Sequence, residues 1–235
     1  SLGKKVAIVV AGPFFNLMLA FFIFSGVFMV GVPVLMPDVG VVEESGAAAL
    51  GGIKQGDRIL KINEKPITQW EEIRETLQDN GGNPLRFTLL RKGAEQKLTI
   101  TPAEKSVKDL FGDEQSIWLI GIMPTGDHFI KRYNPFTALD MGLRRTVYMS
   151  EMNLVGIFKL IQGKISSDNI GGPILIAQMA KTQAEEGLRN VLLFMAFISI
   201  NLGIINLFPV PILDGGHLLF FLLEGIMGRP VSVRA

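Results

Sequence analysis

The sequence predicts a membrane α-helical protein carrying an inserted α+β domain, and three observations lead there. No residue from Val6 to Pro37 is charged, a second uncharged run extends from Val191 to Leu213, and the stretch between them alternates strand-like, turn-like and amphipathic segments. Across the 235 residues, 23 Lys and Arg against 22 Asp and Glu leave a net charge of +1. These charges are interspersed, so there is no basic face for phosphates, and no nucleic-acid partner is expected. The absence of cysteine excludes disulfides and thiolate metal sites. With only His128 and His217 as imidazoles, any metal site built within the chain must be sparse.

The first run, VAIVVAGPFFNLMLAFFIFSGVFMVGVPVLMP, exceeds the roughly 20 apolar residues that a membrane crossing requires. It is also longer than the ~7–15-residue core of a secretory signal. Residues 1–38 are therefore read as the first transmembrane helix and its flank. Asn16, the one strongly polar side chain in this run, should face protein and not lipid. The Ala11-Gly12-Pro13 step marks a close helix contact or a local kink. Lys4 and Lys5 precede the run and argue for a cytoplasmic start. One crossing then places the following domain on the extracytoplasmic side, and Arg229 and Arg234 fit a cytoplasmic tail at 229–235.

Residues 39–104 read as a folded module. VGVV at 39–42 is a short strand, DRILKIN at 57–63 alternates as a half-buried strand does, and PLRFTLLRKGAEQKLTITP is a hairpin turning at Lys92-Gly93. In TQWEEIRETLQDN, Trp70, Ile73 and Leu77 have helical spacing, with Thr68 as N-cap and Glu71 three residues on. Ser45-Gly46-Ala47-Ala48, Gly52-Ile53-Lys54-Gln55-Gly56-Asp57-Arg58-Ile59 and Ile62-Asn63 resemble a PDZ domain. That resemblance implies a groove in which a peptide or protein segment adds a strand to a sheet edge, on a strand the sequence does not identify.

Residues 105–135 read as a linker, and 136–187 as interfacial helices. In the latter, Leu139, Leu143, Val147, Leu154, Phe158 and Ile161 recur near helical spacing. They suit a helix lying on the membrane surface or one packed on the PDZ-like module. NIGGPILIAQM is a glycine-proline turn entering another apolar helix. Residues 188–228 read as a broken transmembrane helix containing NLFPVPILDGGH, Asn206 to His217.

Prolines have no N–H, so Pro209 and Pro211 leave the carbonyls of Ile205 and Leu207 without their helical donors. Irregular backbone at membrane depth is tolerated only inside protein or along a water-filled cavity. A carboxylate there, Asp214, needs a partner: a proton, a cation or a metal. Gly215 and Gly216 permit close approach of another backbone beside it. His217 lies near in sequence, but one histidine and one acid do not make a catalytic metal site.

NLGIINLFPVPILDGGHLLFF resembles the signature of site-2 proteases, membrane-embedded zinc metalloproteases, of the bacterial regulator-of-sigma-E type. GKKVAIVVAGPFFN, the PDZ-like module and GGPILIA resemble the family's other blocks in the same order. The resemblance implies that Asp214 is a zinc ligand and that Asn201 and Asn206 hold substrate backbone. It further implies that Pro209, Pro211, Gly215 and Gly216 support the site. The expected setting is a multi-pass protein of the inner membrane, surrounded by lipid, with the PDZ-like domain on the periplasmic side and a single-span membrane protein as substrate. The family's HExxH, which supplies two ligands and the general base, does not occur in this sequence, so no catalytic residue is assigned within it. A non-catalytic membrane adaptor that binds peptide C-termini is the alternative function. The 235-residue chain, purified alone, is expected to bind zinc weakly and cleave nothing. Zinc titration with a cleavage assay checks this, and tight stoichiometric zinc with turnover contradicts it.

Overall fold

The computed structural model describes residues 2–109, 112–164 and 172–227. The chain divides into two compact units, Val32–Lys131 and a helical unit made of Ser1–Gly31 with Arg132–Ala235. The latter begins with α1 (Leu2–Val30), 29 residues long. It stops where Gly31 adopts φ 126° and donates to Val27 O at 2.9 Å, a conformation that side chains other than glycine avoid. Gly3–Val30 is long and apolar enough to cross a membrane.

The module Val32–Lys131 opens with β1 (Val32–Leu35), β2 (Val39–Val42) and the single turn α2 (Ala47–Leu50). It continues with β3 (Arg58–Ile62), β4 (Lys65–Pro66), α3 (Trp70–Asp79), β5 (Leu85–Arg91) and β6 (Ala94–Ile100). Strands β4-β3-β5-β6 form one antiparallel sheet. Leu85, Phe87 and Leu89 of β5 alternate inward and are fully buried, as a strand with one wet face requires. Ile59 and Ile62 are also both fully buried although three apart, which strict alternation forbids. A register shift between Ile59 and Lys61 against β5 resolves this: one bulged residue turns both isoleucines to the core. The helix α3 closes that core with Ile73 and Leu77. Its cap is Gln69 with Glu72, one residue later than the expected Thr68 and Glu71. The Thr68 N–H nonetheless donates to Glu72 Oε2 at 2.7 Å.

The stretch 105–135, expected as a linker, instead folds back onto the module. After β7 (Ala103–Lys108) come β8 (Glu114–Leu119), β9 (Ile122–Pro124) and β10 (His128–Lys131), pairing with β7, β2 and β1 respectively. The sequence hid these strands because they bury little: β8 reads exposed or half-buried throughout, so no alternation marks it.

One ion pair locks the module. Asp57 is fully buried, and its carboxylate accepts from Arg91 Nε at 2.7 Å, Arg91 Nη2 at 2.6 Å and the Lys54 N–H at 2.8 Å. Arg91 also donates to Gly52 O at 2.7 Å, pinning the Gly52–Asp57 turn to the sheet. Burial works against the Asp57 charge, but the Arg91 and Lys54 contacts outweigh it and hold the carboxyl below its ordinary value of 3.8. A folded-state pKa below the unfolded one stabilises the fold fully above that ordinary value. The contribution is lost as pH falls through the folded value.

Four further helices complete the helical unit: α4 (Pro135–Ile161), α5 (Pro173–Glu185), α6 (Leu188–Asn206) and α7 (Asp214–Met227). Asn134 caps α4, its side chain accepting from the Thr137 N–H at 3.0 Å, and Pro135 occupies the first turn. The helix runs antiparallel to α1. Tyr133 N–H donates to Phe28 O, Gly142 stands against Ser25 and Phe21, and Leu154 shares a groove with Phe14. The buried residues of α4 are not the expected apolar stripe but Ala138, Gly142, Thr146 and Lys159; the first three are small side chains at every fourth position that let two backbones approach. Leu143, Val147, Phe158 and Ile161 are exposed, the first two along the groove shared with Phe14. Helix α6, the second segment long and apolar enough to cross a membrane, packs Ala196, Ile200 and Ile204 on Ala20 and Phe24 of α1. Ile165, Asn169, Gly171 and the expected tail 229–235 with Arg229 and Arg234 lie outside the described residues.

Trp70 and Trp118, the two tryptophans of the sequence, both lie in the module, so their fluorescence reports its unfolding within the whole chain. Arg91→Met strands a buried carboxylate and should cost on the order of 3 kcal/mol in that transition. Wild type should lose stability as pH drops below about 4, and Asp57→Asn should abolish that acid-dependent component.

Candidate metal and substrate site

The NLFPVPILDGGH segment is a break between two helices. Helix α6 ends at Asn206, and α7 begins at Asp214. Between them most donors are taken up locally: Leu207 N–H bonds Ile204 O at 3.0 Å, Phe208 N–H bonds Ile205 O at 3.0 Å, and Val210 N–H bonds Phe208 O at 2.7 Å. Leu213 N–H then bonds Val210 O at 2.9 Å across a turn with Pro211 at its second position. The Ile205 carbonyl that Pro209 orphans is thus taken up by Phe208. The prolines fall where no N–H is needed. The break thus meets its hydrogen-bonding requirement in part by short-range bonds, while Ile212 is exposed.

The glycines make the break compact. A Cβ on Gly215 would collide with the carbonyls of Leu207 and Phe208, and one on Gly216 would collide with Val210 O. Both glycines are buried. The folded-back turn therefore lies directly on the first turn of α7, and this places Asp214 against α1. A Cβ built on Gly12 would stand 3.3 Å from Asp214 Oδ2. Gly12 is six residues, roughly 9 Å, inside the uncharged run that starts at Val6. Further along, Lys5 Nζ lies 3.6 Å from Glu224 Oε1 and 5.4 Å from the centre of the Phe221 ring, so α7 runs antiparallel to the start of α1.

Asp214 is half-buried at the N-terminus of α7, where the helix dipole favours a negative charge. Among the described residues no donor meets its carboxylate. His217 does not join it; the ring is exposed and stacks on Phe221 with centroids 6.5 Å apart. The expected asparagine pair is split. Asn201 donates to Phe197 O of its own helix at 3.2 Å and lies two residues, over half a turn, from Ser199, which faces α1. Asn206, seven residues beyond Ser199, returns to that α1-facing side at the mouth of the break. An apolar cleft of about 560 Å³ lies beside it, lined by Val6, Pro209, Gly215, Leu218, Phe221 and Leu222. No three His, Cys, Asp or Glu side chains come together among the described residues. The set present therefore offers one oxygen donor and does not by itself fit a zinc ion, which takes three protein ligands in catalytic sites.

The module has a separate candidate site that the sequence did not locate. A narrow groove of about 90 Å³ lies between α3, through Trp70, Ile73, Arg74 and Leu77, and the Leu119–Ile122 segment. Gln78 closes one end, accepting from the Trp118 N–H at 3.0 Å and donating to Trp118 O at 2.7 Å. Gly121, at φ 78°, turns the chain there. Its wall falls in the stretch read as a linker, which is why the groove strand could not be named.

Two apolar helices of membrane-crossing length, a carboxylate at a proline-broken turn and an inserted α+β module define the class of this protein. Comparison with known sequences agrees: a model of Peptidase family M50 matches residues 1–235. The chain belongs to Peptidase family M50, the site-2 protease family. It is 40% identical over 204 residues to the regulator of sigma-E protease RseP of Salmonella typhimurium, covering 86% of this chain and 45% of that protein. It is 35% identical over 233 residues to the zinc metalloprotease RasP of Geobacillus kaustophilus, covering 99% and 53%. A relative from Agrobacterium fabrum matches at 36% over 240 residues, all of this chain and 63% of its own length. The chain thus spans about half the length of the curated relatives it matches. Among solved structures, the PDZ domain of an SdrC-like protein from Listeria innocua aligns with TM-score 0.31 and 20% identity over 40% of this chain and 97% of that one.

Alanine normally improves on glycine within a helix by roughly 0.5–1 kcal/mol. At Gly215 and Gly216 the sign should reverse, with a loss of about 1–3 kcal/mol from forced overpacking, read from thermal unfolding in detergent. Gly26→Ala in α1, where a Cβ meets nothing within 4 Å, is the control and should be neutral or stabilising.

Proposed function

We propose that these residues form part of an intramembrane zinc metalloprotease that hydrolyses a peptide bond of a single-span membrane protein within the bilayer. The observation that supports this most is the Asp214 carboxylate, held against Gly12 of a largely apolar 29-residue helix at a proline-broken turn and lacking a donor among the described residues. An isolated carboxylate at such a depth is costly unless it has a task.

In this reading Asp214 provides one zinc ligand, and the remaining ligands and the general base belong to residues outside these 235. Zinc, when bound, supplies an activated water and polarises the scissile carbonyl. The chain's own residues do the rest. Pro209 and Pro211 keep the helix open so that water and an extended substrate segment reach the carboxylate, and Gly215 and Gly216 hold the break against α7. Asn206 at the mouth and Asn201 on the flank supply amides for substrate backbone, and the neighbouring apolar cleft accepts a substrate side chain.

The module is read as PDZ-like, on its sequence pattern and on a groove of the kind that takes an extended segment against a strand and a helix. Placed on the extracytoplasmic side by Lys4 and Lys5, it gates or selects substrates for an active centre in the inner membrane. Asp214→Asn in the intact protein should remove zinc, measured by atomic absorption, and abolish cleavage of a single-span substrate while leaving the tryptophan-reported module transition unchanged. Stoichiometric zinc with turnover in that variant contradicts the assignment.

A further inference from the structure

Asn16 carries a side chain that the site, as described so far, does not use. Ser199 Oγ donates to the Asn16 main-chain carbonyl at 2.8 Å and lies 3.4 Å from its Oδ1. The Asn16 carbonyl and amide oxygen therefore have a donor, but among the described residues its side-chain N–H groups have no acceptor. One turn before it lies Gly12, against which the acceptor-rich Asp214 carboxylate rests, itself without a donor. Side chains on a helix lean toward its N-terminus, so the residue at i+4 covers the surface at i. Asn16 thus leans over Gly12. Cβ positions so related are about 5–6 Å apart, a gap that a carboxamide and a carboxylate span with one hydrogen bond. Both groups keep some solvent access, since no buried side-chain polar atom among the described residues lacks a partner, so a bond between them would replace water without leaving either group stranded.

We propose that Asn16 is a positioning residue of the Asp214 centre, its side-chain amide donating to the Asp214 carboxylate and fixing which oxygen faces the reacting groups. It does on α1 what no residue of α6 or α7 does: Asn201 bonds its own helix, and His217 turns to Phe221. The absence of a side chain at Gly12 makes the space for it. The Ser199 contact does not explain the residue, because its shorter bond is to the main chain and survives any substitution.

The proposal rests on the protease reading, and its test separates the two. The 235 residues contain no cysteine, so Asn16→Cys with Asp214→Cys forms a defined thiol pair in native membranes. Mild oxidation should join these, as it should a Gly12→Cys and Asp214→Cys pair, whereas Phe22→Cys with Asp214→Cys, the former on the exposed side of α1, should stay open. Failure of the 16–214 pair while 12–214 closes overturns the proposal. In the intact protein, Asn16→Leu should lower kcat for a single-span substrate about 10- to 100-fold with KM unchanged. Asn16→Gln should restore part of the loss. Full activity in Asn16→Leu, with Asp214→Asn inactive, overturns the role of Asn16 alone. Full activity in Asp214→Asn overturns the protease reading instead.

Discussion

In the proposed membrane setting the hydrocarbon core offers no water to a backbone that leaves the helix, and the arrangement of the break follows from that constraint. A chain that opens a helix at such a depth must satisfy its freed groups locally and cover them with protein. Residues 207–213 do much of the first through short-range bonds from Leu207, Phe208, Val210 and Leu213. Gly215 and Gly216 do the second by letting the turn collapse onto α7. The Asp214 carboxylate, without a donor among the described residues, comes to rest on α1 where Gly12 has no side chain in its way. Remove the glycine contacts and the break has no reason to be compact; remove the break and Asp214 has no reason to stand beside α1.

The same solvent logic explains α4. In water, the stripe Leu139, Leu143, Val147, Leu154, Phe158 and Ile161 would be the buried face. Here Ala138, Gly142, Thr146 and Lys159 are buried and the stripe is exposed, with Leu143, Val147 and Leu154 along a groove shared with Phe14 of α1. Against lipid, as proposed, close backbone approach through small residues favours packing, and Phe24, Ile200 and Ile204 still form a buried cluster between α1 and α6. The module Val32–Lys131 has a core of large aliphatics around Phe87 and a charged pair tying its turn to its sheet.

Much of this was legible in the residues. Two uncharged runs, the prolines beside Asp214 and the hairpin at Lys92-Gly93 each carry a local signal strong enough to read unaided. The strands at 105–135 do not, because β8 is mostly wet and its neighbours are short, so period-two alternation never develops. The bulge in β3 was invisible for a related reason: only the partner strand reveals that Ile59 and Ile62 share a face. Nor could sequence pair Gly12 with Asp214, some 200 positions apart; the resemblance set Asn201 and Asn206 together, although five residues along a helix already put them on different faces. The acid was legible, but its surroundings are tertiary.

The central claim is that position 214 lies at membrane depth in a protein-lined, water-reachable break. A nitroxide attached to Asp214→Cys in reconstituted bilayers measures it, through relaxation by oxygen and by a water-soluble nickel complex. The account predicts a depth inside the hydrocarbon together with appreciable nickel access, unlike a label at Phe22, which should meet oxygen alone. A label at 214 that reports bulk water outside the bilayer would contradict it.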